Sequence, residues 1–155
     1  MEEIKKILVP IDFSDYSKKA LQYSVQFAKS FGANISLIYV IERAVYPADF
    51  SMGQIAVPAA DMDLHERAKE ELKNLAASEI SGDVGVEIIL KTGKPYVEII
   101  EAATDIDADL IIIATHGHTG IEHLLFGSTA ERVVRKAPCP VLTLREPIKG
   151  FKFNE

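Results

Sequence analysis

The sequence holds a single cysteine, Cys139, in 155 residues, so an intrachain disulfide framework is excluded. It has no run of about 18 apolar residues, which leaves no candidate transmembrane helix. Its start, Met1-Glu2-Glu3-Ile4-Lys5-Lys6, has neither the basic lead, the long apolar stretch nor the small-residue cleavage site of a secretory signal. The compartment expected from this is the cytoplasm. Positive charge is also scarce. There are 17 basic and 23 acidic side chains, for a formal charge of −6. Free nucleic acid is a poor partner for such a chain, because that affinity rests on basic surface. A single nucleotide held in a local pocket stays open. Several familiar signatures are missing as well. No Gly-x-Ser-x-Gly elbow supports an esterase. No Gly-x-Gly-x-x-Gly supports a dinucleotide site, and Gly93-Lys94 has Pro95 where a Walker loop needs serine or threonine.

What is present is the mix of a globular domain, with 48% apolar and 26% charged residues. The length suits one domain with a sizeable core. Strand-like and helix-like segments alternate. Ile7 to Ile11 is a short apolar run that reads as a buried strand. Ser14 and Asp15 supply helix-start chemistry. Ala20, Leu21, Ser24, Val25, Ala28 and Phe31 follow at helical spacing, and Gly32 ends the helix. Asn34 to Ile41 reads as a second strand. Glu42 to Asp61 shows no period and holds Pro47, Gly53 and Pro58, which predicts a long mobile loop around Val45 to Ala60. A helix resumes near Met62, with Leu64, Ala68, Leu72, Leu75 and Ala76 on one face.

Val86 to Leu90 is a third strand. Thr92-Gly93-Lys94 is a turn, and Pro95 opens a helix with Val97, Ile100 and Ala103 on one face. Leu110 to Ala114 is the most apolar run and reads as a central strand covered on both faces. A glycine-containing loop, Thr115 to Gly127, leads to a helix from Ser128 through Ala137. Val141 to Leu144 is the last strand. The pattern predicts an α/β fold, a parallel sheet with helices on both faces. Residues 1–147 form the expected domain and residues 148–155 a polar tail carrying Phe151 and Phe153.

Ligands of open parallel sheets sit beyond the carboxyl ends of the strands, where the strand order reverses. Two segments follow strands with suitable chemistry. In Val9-Pro10-Ile11-Asp12-Phe13-Ser14, Asp12 can accept hydrogen bonds from a ligand or serve the next helix as a cap. In Ala114 to Glu131, glycines allow close backbone approach to a phosphate. Gly127-Ser128-Thr129 leads into a helix N-terminus, which favours an anion. Ser128-Thr129-Ala130-Glu131 also fits a capping box. Both readings can hold together. His116, His118 and His123 raise a metal site, but no second cluster accompanies them, and they read as loop histidines near phosphates. Cys139, between Pro138 and Pro140, reads as a buried filler.

These blocks resemble the universal stress protein (UspA-like) family. The likeness runs through Val9 to Ser14, Thr115-His116-Gly117, Leu124-Leu125-Phe126-Gly127-Ser128 and Ala137-Pro138-Cys139-Pro140-Val141. The family's nucleotide-binding members carry Gly, two residues, Gly, nine residues, then Gly-Ser or Gly-Thr. Here Gly117 and Gly127-Ser128 match, and the first glycine is Ala114. The resemblance implies a single-domain open five-stranded parallel sheet in the order 3-2-1-4-5, of the adenine nucleotide alpha hydrolase-like kind. It implies ATP, with Mg²⁺ as counter-cation. Pro10, Asp12 and Val40 would serve the adenine and ribose, and Ile113 and Ala114 would line the base and ribose side. Gly117, Gly127, Ser128 and Thr129 would hold phosphates, with Ala130 lending its backbone. It further implies a homodimer through the edge strand Val141 to Leu144. The function expected is that of a cytoplasmic, nucleotide-dependent stress-response regulator acting on an unidentified protein partner. A non-nucleotide dimeric scaffold and a slow ATPase or autophosphorylating protein are the alternatives.

Overall fold

The computed structural model describes residues 3–43, 57–116 and 126–145, the first five of the middle stretch as backbone only. The apolar runs become strands β1 (Lys6–Pro10), β2 (Asn34–Ile41), β3 (Val86–Thr92), β4 (Leu110–Ala114) and β5 (Val141–Leu144). Between them lie helices α1 (Asp15–Phe31), α2 (Val57–Glu79), α3 (Pro95–Asp105) and α4 (Ser128–Lys136). The sheet has the order β3-β2-β1-β4-β5, and every described pairing is parallel. This is the expected topology.

Alternation along the strands divides the interior into two layers. Ile7 and Val9 of β1, with Leu110 and Ile112 of β4, meet Leu21, Val25 and Ala28 of α1 and Leu72 and Leu75 of α2. Leu8, Ile111 and Ile113 point the other way, onto Ile99 and Ala102 of α3 and Val133 of α4. A strand with apolar neighbours on both faces reads as a continuous hydrophobic run, which is why β4 is Leu-Ile-Ile-Ile-Ala. Leu8, Ile111 and Ile112 are fully buried. Each such side chain contributes about 1.5–3 kcal/mol by leaving water.

Helix length explains two exposed apolar side chains. At 1.5 Å per residue the 17 residues of α1 span about 26 Å, while the five of β1 span about 17 Å. The last turn of α1 therefore overhangs, and Phe31 is 52% exposed, stacked on Phe27 at 4.6 Å. The 23-residue α2 likewise outruns the sheet. It starts at Val57 rather than near Met62, and Leu64 is exposed instead of joining Ala68, Leu72, Leu75 and Ala76 in the core. The loop expected over Val45 to Ala60 thus gives way to helix from Val57 onward, and its remainder, 45–56, lies outside the described residues.

On α3 the buried positions are Ile99, Ala102 and Ala103, with Val97 and Ile100 half-buried. Steps of three residues drift by about 60° each on a 3.6-residue helix, so Val97, Ile100 and Ala103 do not share one core-facing line. At the start of α1, Ser14 is the N-cap and accepts from the Ser17 N–H, and Gly32 closes the helix at φ +66°, where glycine carries no Cβ penalty.

Candidate functional site

Because β1 lies between β2 and β4, the chain leaves its carboxyl end toward one layer and leaves β4 toward the other. A cleft of about 590 Å³ opens there. Of the ten residues expected at a ligand, nine line it: Pro10, Asp12, Val40, Ile113, Ala114, Gly127, Ser128, Thr129 and Ala130. Gly117, like His118 and His123, lies outside the described residues.

One wall is the turn after β1. Ile11 donates its N–H to the Ile38 carbonyl at 2.8 Å, which anchors the turn to β2. Phe13 then adopts φ +63°, a left-handed conformation that costs a bulky residue about 1–2 kcal/mol. That reversal lets Asp12 Oδ1 accept from the Ser14 N–H at 2.9 Å and from the Ser14 hydroxyl. The Asp12 N–H donates to Ser17 Oγ at 3.3 Å, and the Ser17 hydroxyl donates to the Ser14 carbonyl at 3.0 Å. Asp12 therefore braces the cap residue of α1 while its half-buried side chain also borders the cleft. The Phe13 ring packs on Tyr39, centroids 4.9 Å apart.

The floor is apolar, with Ile38 and Val40 from β2, Ile99 from α3 and Ile113 from β4. Tyr39 and Glu42 stand at its β2 side, and Leu64 overhangs it from α2. Burial raises the pKa of the Tyr39 hydroxyl, and the carboxylates of Glu71, Asp12 and Glu42 raise it further.

The opposite wall joins β4 to α4. Thr115, 3% exposed, donates its N–H to the Leu144 carbonyl at 3.0 Å. Its hydroxyl lies 3.3 Å from that carbonyl and 3.0 Å from His116 Nδ1. The Thr115 carbonyl accepts the Gly127 N–H at 2.6 Å. The two ends of the glycine loop are thus pinned to each other. A Cβ on Gly127 would come within 3.0 Å of the Thr115 oxygen. Gly127 has φ −67° and ψ 155°, ordinary extended backbone, so the glycine supplies room rather than conformational freedom.

Gly127, not Ser128, is the N-cap of α4, and no side chain caps the helix. The capping box expected from Ser128 and Glu131 is not formed. Glu131 instead donates its N–H to the Gly127 carbonyl at 3.0 Å and pairs its carboxylate with Arg135 at 2.9 Å. The helix starts at Ser128 as expected, and its cap lies one residue earlier than the Ser-x-x-Glu spacing suggests. The first-turn N–H groups of Ser128, Thr129 and Ala130 have no acceptor inside the helix and border the cleft. Ala114 ends β4 as regular strand. Among the described non-glycine residues only Phe13 and Asp107 have positive φ, so a methyl at 114 meets no backbone demand for glycine.

Several lining residues escape a reading of sequence alone. Tyr39, Glu42, Leu64 and Pro95 carry no ligand motif. Only their position at strand or helix ends would have pointed to them. Arg132 lies over the Tyr96 ring, 4.8 Å from its centroid, outside the lining. Cys139 is half-buried against the second core layer, and burial, then Asp109, raises its thiol pKa. It suits a packing group rather than a nucleophile. Among the described residues no group of three or more His, Cys, Asp or Glu is placed to hold a metal.

Comparison with known proteins agrees with this architecture. The model of the universal stress protein family matches residues 3–145. The universal stress protein MJ0531 of Methanocaldococcus jannaschii is 37% identical over 148 residues, covering 94% of this chain and 84% of its own. The solved structure of MJ0577, from the same organism, superposes with a TM-score of 0.81 at 29% identity, covering 93% of this chain and 97% of its own. A universal stress protein of Archaeoglobus fulgidus solved in complex with dAMP shares the fold, with a TM-score of 0.62 at 23% identity over 92% of this chain and 98% of its own. With the family match over nearly its whole length and the strand order observed, the chain belongs to the universal stress protein family.

Proposed function

We propose that this protein binds an adenine nucleotide, ATP with Mg²⁺, and acts as a nucleotide-dependent regulator of the cytoplasmic stress response. One observation carries the reading. A single cleft brings an apolar floor for a base, a carboxylate for a sugar hydroxyl or amine, and three unpaired helix N–H groups for phosphate to the point where strand order reverses. The volume, about 590 Å³, is in the range of small-molecule sites. That a protein of the same fold has been solved with dAMP supports an adenine ligand. Mg²⁺ fits the donor set, since Asp12, Glu42 and the hydroxyls of Ser128 and Thr129 are all hard oxygen ligands. Mg²⁺ is commonly held by one or two carboxylates together with substrate phosphates. When bound, it would offset phosphate charge. Isothermal titration decides the matter, with saturable binding of ATP expected in Mg²⁺ buffer. Absence of heat at millimolar ATP would refute the reading.

We further propose a two-fold homodimer, which the edge position of β5 supports. Ile111 and Thr115 donate to the carbonyls of Pro140 and Leu144. In a parallel ladder this turns the backbone groups of alternate residues, Thr143 among them, away from β4. An apolar edge with unpaired groups invites pairing with its own copy. Thr143→Pro removes an outward donor and should weaken the dimer. Light scattering that reports a wild-type monomer at micromolar concentration would end this part of the proposal.

A further inference from the structure

The charge of the cleft runs against a polyphosphate ligand. Among the described lining residues there is no lysine or arginine, whereas Asp12 and Glu42 are both acidic. Arg43, after Glu42, and Lys94, before Pro95, are exposed and stand outside the lining. Among the described lining residues, what attracts an anion is the N-terminus of α4, equivalent to about half a positive charge. Two carboxylates oppose it. Burial chiefly raises the pKa of the Tyr39 hydroxyl in the same cleft, and the carboxylates of Glu71, Asp12 and Glu42 add to it.

Building on the adenine-nucleotide reading, we infer that the cleft rejects uncompensated phosphate charge through Asp12 and Glu42. Without a divalent cation its ligand class is adenosine or adenosine monophosphate, and the triphosphate enters only as its Mg²⁺ complex. Glu42 is then a specificity-determining residue. It is exposed at the end of β2, so its substitution leaves the packing of the fold intact. Each added phosphate charge must approach both carboxylates across a partly solvated gap. For charges about 10 Å apart at a protein surface, that repulsion amounts to roughly tenfold in affinity from mono- to triphosphate.

The test is a titration series on the full chain at constant ionic strength, with adenosine, AMP, ADP and ATP, first in EDTA and then in excess Mg²⁺. In EDTA the affinity should fall from AMP to ATP by roughly tenfold or more. Mg²⁺ should recover that loss for ATP and leave adenosine unmoved. Glu42→Gln in EDTA should strengthen ATP several-fold and adenosine hardly at all. If ATP binds as tightly as AMP in EDTA, or Glu42→Gln shifts ATP and adenosine alike, the inference is overturned while the adenine reading stands. If none of the four ligands binds in either buffer, both fall together.

Discussion

The two walls of the cleft solve the same problem in opposite ways. The turn after β1 satisfies itself locally. Asp12, Ser14 and Ser17 exchange hydrogen bonds within six residues. The one strained residue, Phe13, is held by its ring against Tyr39. The wall at α4 is held from a distance. Thr115 joins Leu144, 29 residues away, and Gly127, across the loop. The helix it launches begins with N–H groups that nothing inside the helix uses. A wall that satisfies its own polar groups is rigid without a ligand. A wall that leaves donors open is where a ligand gains most.

The contrast can be broken most severely at Gly127. Gly127→Val places a Cβ 3.0 Å from the Thr115 carbonyl oxygen, so the loop neck must give way. The loop neck should open, with stability down by about 1–3 kcal/mol and ATP affinity in Mg²⁺ lost beyond calorimetric detection. Unchanged affinity would place the ligand elsewhere. Next comes Asp12→Ala, which strips the acceptor from the Ser14 N–H and hydroxyl. Denaturant unfolding should show a loss of about 1–2 kcal/mol. Asp12→Asn keeps an acceptor and should lose less than half of that.

A pair at Phe13 sharpens the picture further. Phe13→Ala forfeits the ring and keeps the left-handed backbone, whereas Phe13→Gly forfeits the ring and relieves it. Glycine should therefore be the more stable of the two by about 1 kcal/mol. Equal stabilities would mean that the turn relaxes in the alanine variant. Smallest of all is Ser128→Ala. A capping serine would cost about 1 kcal/mol on removal, but Gly127 holds that position. The melting temperature should stay within the range of an ordinary surface change, about 0.5 kcal/mol.

Much of the fold could be read from the residues because it is locally written. The strands announce themselves as apolar runs, and Ser14 and Gly32 mark the ends of α1 as the caps they are. Leu64 and Phe31 keep the helical spacing the sequence shows yet stay exposed, for one reason. Periodicity gives the direction a side chain points but not whether anything lies beneath it, and both sit where a helix outruns the sheet. Ser128 was misjudged for another. Ser-x-x-Glu spacing fits a cap at 128, yet Ser128 is already the first helical residue and Gly127, bonded to Thr115, takes the cap position. Thr115 lies in a block that the sequence marks, but its bond to Leu144, 29 residues away, could not be read from it.

The sequence by itself determined the parallel α/β architecture, the family and the two segments that approach the site, because apolar alternation, cap residues and glycines act over a few neighbours. Only the tertiary structure decided that Gly127 stands beside a carbonyl, that Ser128 is not a cap, and that the described cleft lining gathers two carboxylates and no lysine or arginine. Those properties are sums over residues far apart in the chain. The carboxylate of Asp12 follows β1, that of Glu42 follows β2, and the helix dipole belongs to α4. Their balance exists only where the folded strands bring them to one opening.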